Sequence, residues 1–175
     1  MSRGSIIQPQ NDPYSQAYSG FCDAIFLHPA VAALVPVGNQ IRFDTQNPEP
    51  EKYSKQTADR PQLKIEVQGF APGAQGSCSM WNSRLIVLLK IDSGEQRLNR
   101  GLLPLAYACT KALVNCSNGK DKLRNVDIPF VVAINKDLDG FAQQQNYLES
   151  DGEKEWTAFC RVILTLRFDD YQNLP

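Results

Sequence analysis

The stretch WTAFCRVILTLRF, residues 156–168, decides the fold. Within it Cys160, Val162, Leu164, Leu166 and Phe168 alternate with Arg161, Ile163, Thr165 and Arg167. That is the period-two pattern of a strand with one buried face. A strand this long, near the end of the chain, is expected to close a sheet. Upstream, Met80 to Ile91 contains the unbroken apolar run Leu85 to Leu89, which reads as a central strand buried on both faces. Before it, Leu63, Ile65 and Val67 point one way while Gln62, Lys64, Glu66 and Gln68 point the other. One packed and one wet face suits a sheet covered by helices on a single side. A further strand is expected over Val126 to Ile134, and a short one over Val37 to Phe43.

Two helices complete the pattern. Tyr18, Phe21, Cys22, Ile25 and Phe26 recur at helical spacing over Tyr14 to His28, and Pro29 ends that run. Leu98, Leu102, Leu105, Ala106, Cys109, Leu113 and Cys116 form a second stripe over Gln96 to Cys116. Pro104 inside it either kinks the helix or marks its true start a turn later. The segments expected to be loops are the polar arm 1–12, the proline-bearing stretch 44–61, the glycine-rich Gly69 to Gly76, and the polar connection 135–152. With no regular strand–helix–strand alternation, the class is α+β: a mostly antiparallel sheet of about four to five strands. The N-terminal helix and one long central helix are expected on one face, within a single domain spanning residues 1–175.

Composition narrows the function classes. The chain has 175 residues, 42% hydrophobic and 21% charged, ordinary values for one folded domain. Lys+Arg 18 against Asp+Glu 19 gives a net charge of -1, so no global basic field draws it to nucleic acid or anionic membrane. The longest apolar run falls short of the ~20 residues that span a bilayer, and Met1 to Gln10 is too polar for a signal peptide. A cytoplasmic protein without membrane contact is therefore expected. Its five cysteines fit that compartment. Cys22, Cys109, Cys116 and Cys160 sit among apolar neighbours and are expected as reduced core thiols, with Cys78 the one to be exposed.

No constellation of reactive residues is evident. The single histidine, His28, stands at a helix end, where the expected role is favouring the helix dipole rather than catalysis. Gly73 to Gly76 lacks the Gly-Lys-Ser/Thr of a phosphate-binding loop. Asp137, Asp139 and Gly140 match part of a calcium loop, but the remaining ligands are not at the required spacing. Trp81 and Trp156 each open a strand and read as packing at a sheet margin. The residues thus point away from an enzyme, with no catalytic residue, cofactor or metal ligand to name.

The order of these features resembles tail-terminator and minor tail proteins of long-tailed bacteriophages. The resemblance is carried by the Asp59-Arg60-Pro61-Gln62-Leu63-Lys64-Ile65 entry into a strand after a polar loop. It continues through the glycine-rich break, the Arg84 to Ile91 strand, the long helix to Cys116 and the closing Trp156 to Phe168 strand. It implies a structural virion protein of the tail or neck, assembled in the host cytoplasm as a ring, a hexamer, at the head-proximal end of a tail. The implied partners are further copies of itself, the tail tube protein and a head-side connector or stopper protein. DNA would pass through the ring without sequence-specific binding, which near-neutral charge suits. The candidate interface residues are Arg60, Gly69, Phe70, Gly73, Gly76, Met80 and Trp81. Two alternatives stay open: another neck component, such as a tail-completion or head–tail joining protein, or a small cytoplasmic ligand-binding domain.

Overall fold

A computed structural model describes residues 12–43, 61–75, 80–93, 99–115, 120–121, 126–136, 142–147 and 154–169. In chain order they form α1 (Pro13–Phe26), a short α2 (Pro29–Ala32), β1 (Gln40–Phe43), β2 (Gln62–Gln75) and β3 (Met80–Asp92). There follow α3 (Leu102–Asn115), β4 (Lys120–Asp121), β5 (Val126–Asp127), β6 (Val131–Lys136), β7 (Ala142–Tyr147) and β8 (Lys154–Asp169). The fold class is α+β. A six-stranded sheet runs β1-β2-β3-β8-β6, with β7 also paired to β8, and β4 and β5 make a separate two-stranded ribbon. Among the described strands only the β1–β2 pair is parallel.

The alternation in the sequence fixes which side of the sheet is buried. Leu63, Ile91 and Ala158 are cross-strand partners, as are Ile65, Leu89 and Cys160, and then Leu85 and Leu164. All are essentially inaccessible to solvent and belong to one apolar cluster with α1 and α3. α1 contributes Ala17, Tyr18, Phe21, Cys22, Ala24, Ile25 and Phe26, and α3 contributes Leu102, Leu105, Ala108, Cys109, Ala112 and Leu113. Tyr18 ties helix to sheet through its hydroxyl, which donates to the Ile65 carbonyl at 2.5 Å. Asp12 starts α1 by accepting from Ser15 N at 2.9 Å, with Pro13 in the first helical position.

The structure corrects several local expectations. Gly69 to Gln75 is not a loop: β2 continues through it, paired with β3, and two register shifts absorb the irregular residues. Glycine and proline here mark bulges in a strand rather than its end. The polar stretch 135–152 contains β7, whose AQQQNY sequence has no apolar period to betray it. Its pairing to β8 supplies the order that side-chain patterning does not. The strand expected over Val126 to Ile134 is two pieces, β5 and β6, separated by a turn in which Phe130 adopts φ 61°. α3 begins at Leu102, so Pro104 falls in its first turn, where a missing N–H costs no helical hydrogen bond. His28 does not close α1 through its charge. Its Nδ1 accepts from Ala30 N at 3.2 Å and so opens α2, a role that requires that nitrogen to be unprotonated.

Candidate functional site

Two layers of unequal reach create the surface of interest. At about 3.3 Å per residue, a strand of sixteen residues extends roughly 50 Å, whereas a helix of fourteen covers roughly 21 Å. Neither long helix can shield the length of β8, and the described helices pack on one side of the sheet only. The opposite face is bare of helix among the described residues.

That bare face is graded from one end to the other. At the β2 start, Gln62, Asp92 and Thr157 form one cross-strand row, and each is at most 3% exposed. Thr157 Oγ1 donates to Asp92 Oδ1 at 3.0 Å, Lys64 Nζ lies 3.2 Å from Asp92 Oδ2, and Lys90 Nζ lies 3.7 Å from Oδ1. Lys90 also sits over the Phe159 ring, 5.8 Å from its centroid. Lys64, expected on a wet face, is instead buried in this ion cluster. Further along come Glu66, Leu88 and Arg161, then Ile86 opposite Ile163, then Arg84 opposite Thr165, and finally Asn82 opposite Arg167. Ile86, Leu88 and Ile163 are half-buried, and Arg84, Arg161 and Arg167 are exposed. The Nε groups of Arg161 and Arg167 donate to neutral amide oxygens, Gln68 Oε1 and Asn82 Oδ1, each at 3.3 Å. The centre of the bare face is therefore aliphatic, with arginines around it.

The edge beside this face is open as well. β1 pairs only with Leu63 to Glu66, so the rest of β2 has no strand on its outer side among the described residues. On the helix side of this edge, Val67 is 42% exposed and Phe70 is 69% exposed. Phe70 rests against the Tyr14 ring at 5.6 Å, and the Tyr14 hydroxyl hydrogen-bonds Ser83. Ser83 in turn donates to the Ala71 carbonyl at 2.9 Å, which ties the projecting part of β2 to the body.

Of the residues expected to form the interface, Gly69 and Phe70 lie on this open edge, and Gly73 belongs to the same strand. Nothing lies within 4 Å of where a Gly69 side chain would start. Met80 and Trp81 open β3 on the adjacent strand, opposite Asp169 and Phe168 of β8, with Trp81 also opposite Gln75. Arg60 and Gly76 lie outside the described residues, as do Asp137, Asp139, Cys78 and Cys116. The arginines of the bare face escaped sequence reasoning. The signal was present as Arg161 and Arg167 at even spacing in β8, but only the pairing with β3 brings Arg84 beside them.

Cys22, Cys109 and Cys160 are buried thiols that take part in no disulfide. Burial, with Cys160 nearby, pushes the Cys109 thiol up to about 12, so it stays protonated and unreactive near neutrality. Among the described residues no group of three or more His, Cys, Asp and Glu side chains could hold a metal ion. No described helix is long and apolar enough to cross a membrane. A second exposed patch runs along α3, where Leu103, Tyr107 and Val114 are each more than half exposed. Comparison with protein-family models gives no match, and comparison with curated proteins gives none either.

Proposed function

We propose that this chain is a structural assembly protein, a ring-forming component at the head-proximal end of a phage tail. In that role it would cap the tail tube and present a surface to a head-side connector. The observation that supports this most is the three-strand platform of β2, β3 and β8, which outruns its helices and, among the described residues, leaves one face without a helix and part of the β2 edge without a neighbouring strand. A ring uses heterologous contacts, in which one patch meets a different patch on the next copy. An open strand edge and a bare sheet face on the same platform supply two such patches. Each contact of a stable ring buries more than ~1,000 Å² in total, an area a sheet of this length can provide. The resemblance in element order to tail-terminator proteins gives the reading its specific place. Function in this reading rests on surfaces and not on a reactive group.

The test is a virus lacking this chain, viewed by electron microscopy. The expected result is heads and tails that do not join, or tails of abnormal length. Joined particles with tails of normal length would overturn the assignment.

A further inference from the structure

We draw no further inference here: the strongest candidate, the exposed apolar stripe of Leu103, Tyr107 and Val114 along α3, is a bare helix face, and nothing in the structure shows what covers it.

Discussion

The two faces of the sheet are built from the same strands and do different work. On the helix side, alternate residues of β3 and β8, from Ile91 and Ala158 to Leu85 and Leu164, vanish into one core. On the other side their immediate neighbours are Lys90, Leu88, Ile86, Arg161, Ile163 and Arg84, a set too mixed to form a core and too apolar to be indifferent to a partner. The difference teaches that period-two alternation fixes which face holds the molecule together. It sets no such requirement on the second face.

The largest effect should come from the helix side. Leu164→Ala removes a fully buried side chain from the central strand and is expected to cost about 2–5 kcal/mol by denaturant midpoint. Ile163→Ala, one residue away on the bare face, should cost well under that; equal losses would erase the distinction between the faces. Next is the buried end of the bare face, where the comparison is least clean. Asp92→Asn strands Lys64 and Lys90 and is expected to cost about 3 kcal/mol, far more than a surface substitution. If it proves nearly silent, the ion cluster is not part of the folding core and the bare face is bare throughout.

Gly20→Ala gives a middle-sized test of how tightly the helix layer is seated. A methyl there would approach Pro129 Cδ to 2.8 Å and Ile128 Cγ2 to 3.2 Å, an overpacking expected to cost about 1–3 kcal/mol. By contrast, Gly69→Ala on the open edge meets nothing and should stay within about 0.5 kcal/mol of the wild type. The core thiol offers a pH test of the same layer. Cys109 is raised from 9.0 to about 12 by burial, so its contribution is fully present below pH 9.0 and is lost as pH rises toward about 12. Cys109→Ala should therefore flatten the alkaline part of the stability profile, read from melting curves.

The core face was legible in the sequence because it is local. Cys160, Val162, Leu164 and Leu166 announce β8 without any knowledge of their neighbours, and Phe21, Ile25 and Phe26 do the same for α1. What was not legible depends on register. Lys64 looks solvent-facing until the pairing of β2, β3 and β8 sets Asp92 and Thr157 beside it. The arginine ring likewise exists only across strands. Gly69 to Gln75 carries loop-forming residues, and only its pairing with β3 makes it a strand. β7, rich in glutamine, owes its place to the free margin of β8 and to no pattern of its own. Gly69 and Phe70, which composition places in a loop, stand instead in β2 beyond its pairing with β1.

The central claim is that the helix-free platform exists to meet other copies. Sedimentation velocity of the purified full chain, over a wide range of concentration at low salt, tests it most directly. The account predicts that the 19.6 kDa species gives way with rising concentration to one closed oligomer of defined mass. A single 19.6 kDa species at every concentration would contradict it.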